Sequence, residues 1–113
     1  MNYLPVLFFG IAAIGGLTLV YLKYSGKGLP MVLVIGHGLL AATGLIILII
    51  NVAADMNNML MNISLVLFLA AALGGFTLFS FHLRKKPLPG ILIIIHGSAA
   101  VAAYILLLIA VFI

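Results

Sequence analysis

The chain has no cysteine, one acidic side chain and five basic ones among its 113 residues. Without cysteine there is no disulfide, no thiolate metal site, no iron–sulfur cluster and no covalent haem attachment through a Cys-x-x-Cys-His motif. Because Asp55 is the sole carboxylate side chain, paired-carboxylate catalysis and an acidic proton relay inside a membrane are excluded. Charged residues of both signs make up only 5% of the chain. The net charge of +4 comes from two small clusters, which is a topology signal rather than a nucleic-acid footprint.

What fills the chain instead is apolar: 67% of residues are hydrophobic. They fall into runs at residues 3–22, 30–52, 60–82 and 89–113, each holding the roughly 20 residues needed to cross a hydrocarbon core of ~30 Å. The runs are continuous rather than alternating, and lipid offers a bare backbone no hydrogen-bond partners, so helices are the expected spanning form and a β-barrel is excluded. The expected fold is all-α: an integral membrane four-helix bundle. The Met1-Asn2-Tyr3 start carries no basic side chain, so the first run is expected to stay as a helix rather than be removed as a signal peptide.

Lys23 and Lys27 lie in the first connection and Arg84, Lys85 and Lys86 in the third, whereas the second holds Asp55 and asparagines. The positive-inside rule then places the first and third connections in the cytoplasm and both termini outside, the arrangement expected of a bacterial inner-membrane protein.

Sliding the sequence on itself by 59 residues aligns residues 1–54 with 60–113 without a gap, and 19 of 54 positions are identical. Gly15-Gly16-x-Thr18-Leu19 recurs as Gly74-Gly75-x-Thr77-Leu78, Lys27-x-Leu29-Pro30 as Lys86-x-Leu88-Pro89, and Leu33-x-Ile35-x-His37-Gly38-x-x-Ala41 as Leu92-x-Ile94-x-His96-Gly97-x-x-Ala100. The pattern predicts a tandem duplication of one transmembrane hairpin, residues 1–54 and 60–113, whose copies run in the same sense about an axis along the membrane normal. Pro30 and Pro89 mark the cytoplasmic starts of helices two and four.

Histidine inside a membrane helix is rare and usually faces a partner or a cavity. His37 and His96 each follow the proline of their repeat by seven residues, so at ~1.5 Å per residue both lie roughly 10 Å below the cytoplasmic interface. In an up-down-up-down bundle with ~8 to 10 Å between adjacent axes, helices two and four are diagonal, about 11 to 14 Å apart. That is too far for a shared hydrogen bond and suitable for ligating one iron from opposite sides. Reflecting each hairpin about its connection brings Gly15 to the depth of His37 and Gly74 to that of His96, removing side chains where a macrocycle would need room. Ala41 and Gly44, and Ala100 and Ala103, follow on the histidine faces. Lys27 and Lys86, with the neighbouring basic residues, are candidates for meeting haem propionates.

His37-Gly38 and His96-Gly97, with Gly15-Gly16 and Gly74-Gly75, resemble the histidine and glycine pattern of membrane b-type cytochromes, in which transmembrane histidines hold a non-covalent haem in a four-helix bundle. The resemblance implies one haem b per chain with His37 and His96 as iron ligands, and electron transfer to a redox partner protein or quinone rather than conversion of a substrate. Against it stand ordinary close packing of small residues, a structural or proton-handling histidine pair, and a bare metal ion, which would want a third ligand. A small transporter, an accessory subunit of a larger membrane complex and self-association into a homo-oligomer are the alternative roles. His82 is read as an interface anchor, Thr18 and Thr77 as back-bonding to the preceding turn, and Tyr3, Tyr21 and Tyr24 as belt residues.

Overall fold

The computed structural model describes residues 3–113. They form four helices, α1 (Tyr3–Tyr24), α2 (Met31–Ala54), α3 (Met59–Leu83) and α4 (Gly90–Phe112), of 22, 24, 25 and 23 residues. At ~1.5 Å per residue these measure about 33 to 38 Å. All four are long and apolar enough to cross a membrane, which makes the chain an all-α integral membrane protein. There is no strand among the described residues.

The side chains sort themselves accordingly. Leu17, Val32, Leu73 and Phe76 are each at least 70% exposed, an arrangement that water would punish and that acyl chains accept. Burial is confined to narrow stripes: Pro5, Phe9 and Ala12 on α1, Met61, Ser64, Phe68 and Ala71 on α3, Ala103 and Leu107 on α4, and Gly44, Leu48 and Val52 on α2. Spacings of three and four keep each stripe on one helical face. Shifted by 59 residues, Phe9 becomes Phe68, Ala12 becomes Ala71 and Leu48 becomes Leu107, so the repeated sequence also buries repeated positions.

The chain divides into two compact units after Leu48, a point inside α2. Within the first, α1 and α2 are antiparallel neighbours. A Cβ on Gly44 would stand 3.2 Å from Phe8 Cβ and 3.3 Å from the Phe9 ring, so any larger residue would require these side chains to give by a few tenths of an ångström. Within the second, Ser64 Oγ donates to the Ala103 carbonyl over 2.8 Å at a fully buried site. Gly44 and Ala103 are expected from their small side chains to leave room beside a cofactor. In each case that room is occupied by the neighbouring helix of the same hairpin.

Helix ends differ from the apolar runs by one or two residues, for identifiable reasons. α1 continues past Leu22 to a C-terminal cap in which Gly26 N–H donates to Lys23 O and Lys27 N–H to Leu22 O, the two bonds of a Schellman motif. α3 ends the same way, with Lys85 N–H on His82 O and Lys86 N–H on Phe81 O. Pro89 (φ −64°, ψ 127°) is the N-cap of α4, so the helix begins at Gly90, one position after the proline expected to start it. Asn58 caps α3 by accepting from Met61 N–H at 3.1 Å, and Asn62 Nδ2 donates to Met56 O at 2.9 Å.

The two Schellman caps carry different residues at the left-handed position: Gly26 sits at φ 75°, whereas its repeat partner Lys85 is forced to φ 56°. A left-handed conformation costs a side-chain-bearing residue roughly 1 to 2 kcal/mol, part of which is offset by glycine's greater freedom in the unfolded chain. Lys85→Gly is therefore expected to stabilise the protein by about 0.5 to 1 kcal/mol, raising the thermal unfolding midpoint in detergent. Gly26→Ala should lower it by a similar amount.

Candidate functional site

Each histidine is built into its own hairpin. His37, the seventh residue of α2, turns its ring toward α1, where Nδ1 lies 2.7 Å from the Ala12 carbonyl oxygen. His96, the seventh residue of α4, repeats this on α3, with Nδ1 2.7 Å from the Ala71 carbonyl oxygen. Both rings are half-buried. A carbonyl only accepts, so in each case Nδ1 carries the proton and donates it. A neutral imidazole has one N–H and one lone pair, and the lone pair is then on Nε2.

The glycines stand where the reflection argument puts them. A Cβ on Gly15 would lie 3.6 Å from His37 Cβ, and one on Gly74 would lie 3.3 Å from His96 Cβ. Their neighbours are closer to the rings: a Cβ on Gly16 would be 3.0 Å from His37 Cε1, and one on Gly75 would be 3.1 Å from His96 Cε1. The space these glycines leave is thus occupied, at least at this edge, by the imidazole of the same hairpin. The immediate tenant is the histidine itself.

Beside His37 the first hairpin carries a mostly apolar groove of about 470 Å³, whose walls include Ile14, Gly15 and Thr18 from α1 and Leu33, Gly36 and His37 from α2. Thr18 Oγ1 donates to Ile14 O at 2.8 Å, and Thr77 Oγ1 to Leu73 O at 2.9 Å. Both threonines back-bond within their own helix.

Ala41 and Ala100 are half-buried one turn beyond the histidines. Lys27 and Lys86 are exposed in the connections, with Lys27 Nζ 5.8 Å from the Tyr21 ring centre. Lys23 Nζ is 5.5 Å from the Tyr24 ring centre and the Arg84 guanidinium 4.9 Å from that of Phe81. His82 lies in the last turn of α3, at the end carrying the basic cluster. Tyr3, Tyr21 and Tyr24 are exposed at helix ends, as interfacial aromatics are. No three His, Cys, Asp or Glu side chains converge on a metal-sized site among the described residues.

Sequence reasoning missed Ala12 and Ala71. Their contribution is a backbone oxygen, which has no residue signature. The available signal was indirect: in both repeats a glycine pair stands three and four positions after the alanine. No protein-family model matches the chain, and no curated protein or solved structure matches it either.

Proposed function

We propose that the protein is a membrane haem b carrier of electrons, with His37 and His96 as the two iron ligands through Nε2 and one haem per chain. The observation that carries this reading is the pair of Nδ1–H···O=C hydrogen bonds at 2.7 Å. Histidines that ligate metals almost always donate their other ring N–H to a carbonyl, carboxylate or water, which orients the ring and raises the basicity of the ligating nitrogen. Here that support is made twice, at equivalent positions of a repeat.

The donor set suits haem. Two neutral imidazoles, His37 and His96, would hold a low-spin haem iron, and the absence of cysteine agrees with a non-covalently held b-type group. Bound haem supplies one-electron chemistry. This chain's own residues would hold the iron through the two Nε2 atoms and offer Lys27 and Lys86 for the propionates. Those basic connections face the cytoplasm in a bacterial inner membrane, and the redox partner is a protein or a quinone dissolved in the same bilayer.

The competing reading is that each histidine is solely a latch between two helices, a role the same hydrogen bond favours. An absorption spectrum decides between them. Protein expressed with ample haem and purified in detergent is expected to be red, with the spectrum of a low-spin iron ligated by two imidazoles. Colourless protein under those conditions would leave only the latch.

A further inference from the structure

In an α-helix the carbonyl of residue i already accepts from the N–H of residue i+4, and a second lone pair remains. That lone pair is normally screened. Each Cα–Cβ bond tilts toward the helix N-terminus, so a side chain covers the turn preceding its own residue. The carbonyl of Ala12 therefore lies beneath whatever stands at positions 15 and 16, and the carbonyl of Ala71 beneath positions 74 and 75. All four of those positions are glycine.

The contacts show what a side chain there would meet. At Gly16 and Gly75 a Cβ would come within 3.0 and 3.1 Å of the histidine Cε1, and Cε1 joins the two ring nitrogens. The substitution therefore presses on the edge of the imidazole that must stay close for Nδ1 to meet the carbonyl. At Gly15 the nearest atom would be His37 Cβ at 3.6 Å, an ordinary contact.

We infer that Gly16 and Gly75, flanked by Gly15 and Gly74, are positioning residues: by baring the Ala12 and Ala71 carbonyls they let each histidine donate from Nδ1, and so decide that Nε2 presents the lone pair. The free imidazole side chain prefers the opposite tautomer, with its proton on Nε2. The bare carbonyl supplies the bias that reverses that preference. The assignment of tautomer stands on the hydrogen bonds alone, while its consequence for an iron rests on the haem reading. There, an Nδ1–H donated to a carbonyl makes the imidazole a stronger electron donor and favours the oxidised metal.

Nitrogen NMR of ring-15N-histidine protein, prepared from haem-deficient cells and purified in detergent, tests the first part without any cofactor. In the wild type, Nδ1 of His37 and His96 is expected to be protonated and Nε2 unprotonated, with His82 as a third histidine that has no such bond to a distant helix. A proton on Nε2 of both His37 and His96 would overturn the inference. Gly16→Val should return His37 toward the Nε2–H form while His96, in the untouched repeat, keeps its signal. An unaltered His37 tautomer in folded Gly16→Val would also overturn it, and the wild-type measurement decides if that variant fails to fold.

A second arm uses haem-loaded protein. Gly16→Ala is expected to keep the low-spin spectrum and to shift the midpoint potential upward, because the weakened hydrogen bond lowers electron donation to the iron. No shift would overturn the consequence for iron. Failure of the wild type to bind haem at all would remove the cofactor reading and leave the tautomer result standing.

Discussion

Replacing either His37 or His96 by asparagine is expected to abolish the low-spin haem spectrum while leaving the hairpins helical. The choice of asparagine follows from the hydrogen bonds. Its side-chain nitrogen occupies nearly the position of histidine Nδ1 and donates, so it can retain the contact to the Ala12 or Ala71 carbonyl now made at 2.7 Å. It has nothing at the position of Nε2. The variant therefore separates two roles that alanine would remove together: it keeps a latch and deletes a ligand. If the two histidines hold a haem, losing one of their nitrogens would give a high-spin spectrum, and the double variant should be colourless. His82→Asn should leave the spectrum of the wild type. Circular dichroism on the same samples checks that helix content is retained. If His37→Asn preserved the low-spin spectrum, His37 would not be a ligand, whatever its place in the fold.

The two histidines also explain what could and could not be read in advance. The helices were legible because a membrane span must be long, apolar and hydrogen-bonded within itself. The duplication was legible because Gly15-Gly16, Lys27-x-Leu29-Pro30 and His37-Gly38 return at one offset, and reflection about a short connection gave the depth of Gly15 and Gly74. Depth does not give direction around a helix axis. With apolar residues on every face, α1 to α4 carry no polar side to mark which way a histidine turns, so the near partner on the same hairpin was not separable from a ligand farther away. The role of Ala12 was hidden because it acts through its backbone. At Lys85 the familiar signal was missing: Gly26 announces a left-handed cap, and the same cap in the second repeat bears a lysine that only alignment with the first would reveal.

The absence of any water-driven core makes a second large effect predictable. Leu107 and Leu48 are completely buried, while Leu73 is 70% exposed. In water, truncating a buried leucine removes both hydrophobic transfer and packing. Within a bilayer the surrounding acyl chains are as apolar as leucine, so packing is what remains to be lost. A leucine at the lipid face exchanges one set of hydrocarbon neighbours for another. A fully enclosed one leaves a void that neither lipid nor water fills without cost. Leu107→Ala is therefore expected to destabilise the protein by about 1 to 3 kcal/mol, the cavity part of the cost in a soluble core, and Leu48→Ala, its repeat partner, by a similar amount. Leu73→Ala should stay within about 0.5 kcal/mol. Denaturant titrations of the three variants in one detergent check this. Leu107 lies one turn beyond Ala103, whose carbonyl accepts the buried Ser64 hydroxyl, so a cavity there loosens the α3–α4 hairpin that also holds His96 against Ala71. A loss at Leu107 no greater than at Leu73 would mean that the buried stripe adds nothing to holding α4 in place, and the histidine would then have to be held by its hydrogen bond and the glycine contact alone.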